Sequence, residues 1–211
     1  MNCAPYVKIP PFVPGLRVGL FGGSFNPPHD GHRSASLLAL RRLRLDRIWW
    51  LVSPANPLKD KSELAPLAER AEAAVKISRH PRIVVSVLEA RIGAAYSYQT
   101  ITYLKRRCSG VHFVWIMGAD NFRSFDRWQH WREIARLVPI AIVDRPGSTL
   151  TAPSGRAAET LAAYRVDEAD AGCLVTEVPP AFVFLHGPRS PMSSTALRET
   201  SQRIIARPKT A

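Results

Sequence analysis

Leu16-Arg17-Val18-Gly19-Leu20-Phe21-Gly22-Gly23-Ser24-Phe25-Asn26-Pro27-Pro28-His29-Asp30-Gly31-His32 is the stretch from which the architecture can be read. Leu16 to Phe21 has the apolar, β-rich character of a buried strand. Two glycines then let the main chain turn and approach a ligand closely, two prolines stiffen the exit, and a helical pattern begins near Asp30. Strand, glycine turn and helix make the first half of a βαβ unit.

The rhythm continues outward from it. Helices are expected over about Asp30–Leu45, Pro66–Arg79, Ser97–Arg107 and Trp128–Leu137, and from Ser193 onward. Strands are expected over Arg47–Val52, Ile83–Leu88, His112–Met117, Ile140–Val143, Leu174–Val178 and Phe182–Leu185. Pro146–Gly172 fits neither pattern. Strands separated by helices of this length need right-handed crossovers, so the expected fold is α/β: a doubly wound, mostly parallel sheet of Rossmann-like type with helices on both faces. With no repeat, low-complexity tract or linker, the chain reads as an N-terminal extension over 1–15 and a single domain over 16–211.

The 211 residues are 46% hydrophobic and 22% charged, which excludes a disordered, collagen-like or coiled-coil chain. No run reaches the ~18 consecutive apolar residues that span a bilayer, and four prolines interrupt the first fifteen residues. A cytoplasmic protein with no membrane partner is the expectation. Cys3, Cys108 and Cys173 lack any disulfide or zinc-site spacing, and no metal site is expected from the protein's own side chains. The net charge of +12 favours anionic partners. Runs such as Arg41-Arg42-Leu43-Arg44 read more simply as solvated helix faces than as a nucleic-acid footprint, so no nucleic-acid partner is expected.

In open parallel sheets ligands sit beyond the carboxyl ends of the strands. The unpaired N–H groups of the helix beginning near Asp30 face that side and attract anions. His29 and His32, three residues apart, lie on one side of its first turn, where both imidazoles can donate to one phosphate chain. The loop is neither GxxxxGK[ST] nor GxGxxG. A second anion cradle is written at Ser193-Ser194-Thr195-Ala196-Leu197-Arg198, although hydroxyls there also suit plain helix capping.

His29-Asp30-Gly31-His32 after a Gly-rich strand turn resembles the HxGH motif of the nucleotidyltransferase α/β-phosphodiesterase superfamily, and Ser193–Arg198 resembles its SSTxxR motif. Four further loops look like those of the bacterial nicotinate-nucleotide adenylyltransferase family: Ser53-Pro54-Ala55-Asn56-Pro57-Leu58-Lys59, Arg91-Ile92-Gly93-Ala94-Ala95-Tyr96-Ser97-Tyr98-Gln99-Thr100, Gly118-Ala119-Asp120 with Trp128 downstream, and Arg145-Pro146-Gly147. The match spans most of Leu16 to Arg198. It departs from the family pattern at Asn26 (commonly Asp), Leu58 (commonly His) and Ala95 (commonly Ser).

The resemblance implies the nucleotidyltransferase fold and adenylyl transfer from Mg-ATP to nicotinate mononucleotide. Mg²⁺ arrives with the nucleotide, and deamido-NAD and pyrophosphate are the products. His32 and His29 would be the catalytic donors. Gly22, Gly23, Ser24, Phe25, Lys59, Gly118, Asp120, Ser194, Thr195 and Arg198 would hold ATP; Ala95, Tyr96, Ser97 and Trp128 would hold the pyridine nucleotide, with main-chain N–H groups at Ala95 and Tyr96 receiving its carboxylate. Asp120 is nearly as well explained as a helix cap, and Trp128 as a core aromatic beside Trp131. The rivals are another superfamily adenylyltransferase, acting on nicotinamide mononucleotide or phosphopantetheine, and a basic nucleic-acid-binding protein. Oligomeric state is not written in the sequence.

Overall fold

The computed structural model describes residues 6–54, 64–144 and 155–187. Its strands are β1 (Arg17–Gly23), β2 (Arg47–Val52), β3 (Ile83–Ser86), β4 (His112–Gly118), β5 (Ile140–Val143) and β6 (Phe182–Leu185). Its α-helices are α1 (Asp30–Arg42), α2 (Leu67–Ser78), α3 (Leu88–Ile92), α4 (Ser97–Arg107), α5 (Ala119–Arg123), α6 (Trp131–Leu137) and α7 (Arg156–Leu161). Every strand pair is parallel, and the sheet runs β3-β2-β1-β4-β5-β6. The expected doubly wound sheet is therefore present, and every described pairing in it is parallel.

Side-chain alternation explains why both faces are covered. Trp49 and Trp50 are consecutive in β2, point to opposite faces, and are both fully buried. Trp49 joins Ile101 and Leu104 of α4 and Ile134 of α6 on one face. Trp50 joins Ala35 and Ala39 of α1 and Ala71 and Ala74 of α2 on the other. Residues 6–15 lie against this body: Tyr6 O accepts from Val87 N at 2.8 Å, and Gly15 N donates to Gly110 O at 2.7 Å.

Three expected elements differ. Leu174–Val178 is no strand, because Glu168–Thr176 is a 3₁₀ helix begun by the Asp167 carboxylate, which accepts from Ala169 N at 2.8 Å. Its buried residues Ala171, Leu174 and Val175 follow a helical spacing, which a strand would split between two faces. The strand expected over Ile83–Leu88 ends at Ser86, whose hydroxyl accepts from Leu88 N at 3.2 Å and opens α3; Gly93, at φ +65°, closes it. The helix expected from Trp128 begins at Trp131, because Trp128 is extended and His130 takes a left-handed φ of 55°. Within the unassigned Pro146–Gly172, α7 and a 3₁₀ turn at Ala162–Tyr164 account for part of the chain. The helix expected from Ser193 lies outside the described residues.

Candidate active site

The strand order reverses on either side of β1, so the loops leaving β1 and β4 flank the crevice at the carboxyl edge. His29 caps α1: its Nδ1 accepts from Gly31 N at 3.1 Å, while His32 Nδ1 accepts from His29 N at 3.2 Å. A ring nitrogen that accepts carries no hydrogen, so the hydrogen-bond network places the N–H of each neutral ring on Nε2. Both rings are buried, with centroids 3.9 Å apart. His32 is held further from the core side, since Trp50 Nε1 donates to Ser36 Oγ at 2.8 Å and Ser36 Oγ donates to His32 O at 2.9 Å. The result is two imidazoles fixed in tautomer and position at a helix N-terminus.

The β1 loop is shaped from below. A Cβ on Gly22 would stand 2.7 Å from Cη2 of the buried Trp115, so glycine is what lets the loop lie on that ring. Phe25 occupies the left-handed region at φ 47°. Its ring is fully buried, stacked on Trp50 at 4.9 Å and tilted against His32 at 4.8 Å, so only its main chain faces a ligand. Gly22, Gly23 and Ser24 are partly exposed. Asn26 Oδ1 accepts from Ala65 N at 3.3 Å, tying the loop to the entry of α2.

Of the residues expected to hold the pyridine nucleotide, Ala95, Tyr96 and Ser97 are contiguous at the start of α4, Ala95 exposed and the other two half-buried, while Trp128 lies on a separate segment after α5. The Ala95 and Tyr96 N–H groups both donate to Gln99 Oε1, at 2.9 and 3.1 Å. A neutral oxygen from the chain itself thus sits where a substrate carboxylate was expected. Gly118, at the end of β4, is the N-cap of α5, so Asp120 is not its cap; it is exposed in the first turn. Trp131 is the core aromatic. Trp128 is half-buried against the core, edge-on to Trp115 at 6.3 Å and to Phe125 at 5.5 Å.

Two buried charges were not singled out from the sequence. Arg70 of α2 donates Nε to Ala65 O at 2.8 Å, Nη1 to Ser53 O at 2.8 Å and also to Ser24 O, and Nη2 to Pro54 O at 3.1 Å. Glu89 of α3 accepts from Ser53 Oγ at 2.6 Å and from Thr100 Oγ1 at 3.0 Å. Burial pushes the Glu89 carboxyl above the usual range, against these two hydroxyl bonds, and burial lowers Arg70. The hydrophilic break Glu-Arg within an Ala-rich helix was the only sequence sign of Arg70, and it looks the same as a solvated face. Lys59, Ser194, Thr195 and Arg198 lie outside the described residues. Among the described residues, no three His, Cys, Asp or Glu side chains gather as a metal site would need, and no helix is long and apolar enough to cross a membrane.

Comparison with known proteins gives one answer. The Cytidylyltransferase-like family model matches residues 20–200. A probable nicotinate-nucleotide adenylyltransferase of Methylorubrum extorquens is 57% identical over 183 residues, covering 87% of this chain and 99% of the relative. One of Brucella abortus is 54% identical over 184 residues, covering 87% and 95%. In fold, the chain is similar to the Plasmodium falciparum nicotinic acid mononucleotide adenylyltransferase complexed with APC. That match has a TM-score of 0.64 and 15% identity, over 87% of this chain and 83% of that one. The same Plasmodium falciparum enzyme complexed with NaAD gives a TM-score of 0.63 at 16% identity and the same coverage. A family model spanning most of the chain, and relatives more than half identical across nearly their full length, establish that the chain belongs to the nicotinate-nucleotide adenylyltransferases, a family of nucleotidyltransferase enzymes.

Proposed function

We propose that the protein transfers the adenylyl group of Mg-ATP to the 5′-phosphate of nicotinate mononucleotide. A phosphate oxygen of the mononucleotide forms a bond to the α-phosphorus while the bond to the β-phosphate oxygen breaks, releasing pyrophosphate and nicotinate adenine dinucleotide. The nucleophile is already an anion, so no general base is needed, and Mg²⁺ is carried with ATP as part of the substrate. Catalysis is then positioning and charge neutralisation.

The observation that carries this reading is the His29–His32 pair: two buried rings at the N-terminus of α1, with His29 Nδ1 accepting from Gly31 N and His32 Nδ1 from His29 N, which puts the N–H of each neutral ring on Nε2. His32 and His29 donate to the α-phosphate and bridging oxygens. Gly22, Gly23, Ser24 and the main chain of Phe25 cradle the phosphates, and Gly118 and Asp120 take the adenosine side. From the motif resemblance we assign Lys59, Ser194, Thr195 and Arg198 to the leaving pyrophosphate. We assign the pyridine ring to Trp128 and Ser97, and the nicotinate carboxylate to the Ala95 and Tyr96 amides, where it replaces the Gln99 oxygen. A charged acceptor makes the stronger hydrogen bonds there. We place the reaction in the cytoplasm, without nucleic-acid or membrane partners.

The test is pyrophosphate release from Mg-ATP with nicotinate mononucleotide, nicotinamide mononucleotide or phosphopantetheine as acceptor. The first should support turnover and the last should not; turnover with phosphopantetheine alone would refute the proposal.

A further inference from the structure

Arg70 is the only Lys or Arg among the described residues that is fully buried, at 2% exposure, and no carboxylate pairs with it among those residues. Its hydrogen-bond partners among the described residues are main-chain carbonyls, drawn from three separate places: Ser24 in the β1 loop, Ser53 and Pro54 beyond β2, and Ala65 before α2. A buried cation needs such compensation, and the planar guanidinium can supply donors in several fixed directions at once, which an ammonium on a flexible stem cannot. Both main-chain polar groups of Ala65 are engaged, its oxygen accepting from Arg70 and its N–H donating to Asn26 Oδ1 of the β1 loop.

The consequence for the phosphate cradle follows from peptide geometry. Because the Ser24 carbonyl is turned toward Arg70, the N–H of the same planar unit, which belongs to Phe25, points to the opposite side. Phe25 takes the left-handed φ of 47°, which a bulky side chain does not adopt without support. Arg70 from one side and the Phe25 ring wedged between Trp50 and His32 from the other supply it.

We infer that Arg70 is a positioning residue for adenylyl transfer: it never touches substrate, but by pinning Ser24, Ser53, Pro54 and Ala65 it aims the β1-loop amides and keeps them in register with His32. This rests on the function proposed above. The Arg70→Lys variant keeps the charge and loses the fork. Relative to wild type, its kcat should fall by about 10²-fold, the scale for misplacing a catalytic array by an ångström, with the KM for nicotinate mononucleotide unchanged. Amide hydrogen exchange in the ligand-free protein should rise in peptides covering residues 24–26 and 53–54 and stay unchanged in β4 and β5. Arg70→Ala, where it folds, should regain part of its lost kcat with millimolar methylguanidinium. Wild-type kcat in Arg70→Lys, or exchange raised uniformly through the sheet, would overturn the inference, as would a folded Arg70→Ala that methylguanidinium does not rescue. A wild-type enzyme inactive with every acceptor would instead overturn the proposed function, leaving the exchange comparison to judge the clamp.

Discussion

Gly22→Ala tests whether the β1 loop is truly seated on Trp115. The added Cβ would meet Cη2 of Trp115 at 2.7 Å and Cζ2 at 3.0 Å, where ordinary contact begins near 3.4 Å. The indole is 1% exposed and edge-on to Trp128, so it cannot swing into solvent. Either ring or loop must retreat by about 0.7 Å, and overpacking of that kind costs about 1–3 kcal/mol. For a chain of this size that is a fall in Tm of roughly 2–12 °C, measured by calorimetry or circular dichroism. Trp115→Phe removes the six-membered ring that carries both clashing atoms. The double variant Gly22→Ala/Trp115→Phe should therefore be less destabilised than the sum of the singles, by at least about 1 kcal/mol. Strict additivity, or a Gly22→Ala protein with wild-type Tm, would refute the contact.

Glu89→Gln keeps one hydroxyl donating to its amide oxygen and reverses the other bond, the amide NH2 donating to that hydroxyl oxygen, and it removes a carboxyl whose folded-state pKa is raised, chiefly by burial. A raised acid is stabilising below its unfolded pKa and loses that contribution as pH rises through the folded value, so the Tm of the variant should gain on wild type as pH climbs above the usual glutamate range. A pH-independent difference would count against it. Gln99→Ala uncovers the Ala95 and Tyr96 amides: stability should drop by about 0.5–2 kcal/mol for a lost helix-start bond, read as a lower Tm, while the preference for nicotinate over nicotinamide mononucleotide is kept or increased. Loss of that preference would show that Gln99 itself reads the acid. Ser97→Ala should leave the same preference largely intact, since the proposed contacts are main chain; equal rates with acid and amide would refute carboxylate selection by these amides.

The strand–glycine–helix unit could be read directly because its determinants are local: Gly22, the prolines, and two histidines one turn apart carry their meaning in sequence order. Arg70 could not, because its partners are carbonyls of Ser24, Ser53, Pro54 and Ala65, which any residue possesses and which only the fold brings together. Glu89 likewise meets Ser53 and Thr100 through tertiary contact alone. The Gln99 contacts are local and the start of α4 at Ser97 was expected, but a glutamine in the first turn of a helix fits a solvated side chain as well as one that returns to the preceding amides. Leu174 and Val175 misled for another reason: a short apolar run fits a buried strand or one turn of helix equally, and Ala171, the residue that decides, lies outside the run.

The role proposed for His32 is to stabilise charge through Nε2–H as the adenylyl group moves. It is tested most directly by single-turnover formation of the dinucleotide with wild type, His32→Ala and His32→Gln, alongside ATP affinity by calorimetry. His32→Ala should lower the rate by about 10²–10³-fold with ATP affinity nearly unchanged, and His32→Gln, which restores an N–H donor, should recover part of the loss. A wild-type rate in His32→Ala, or a loss that appears wholly in ATP affinity, would contradict a role for His32 in the transition state.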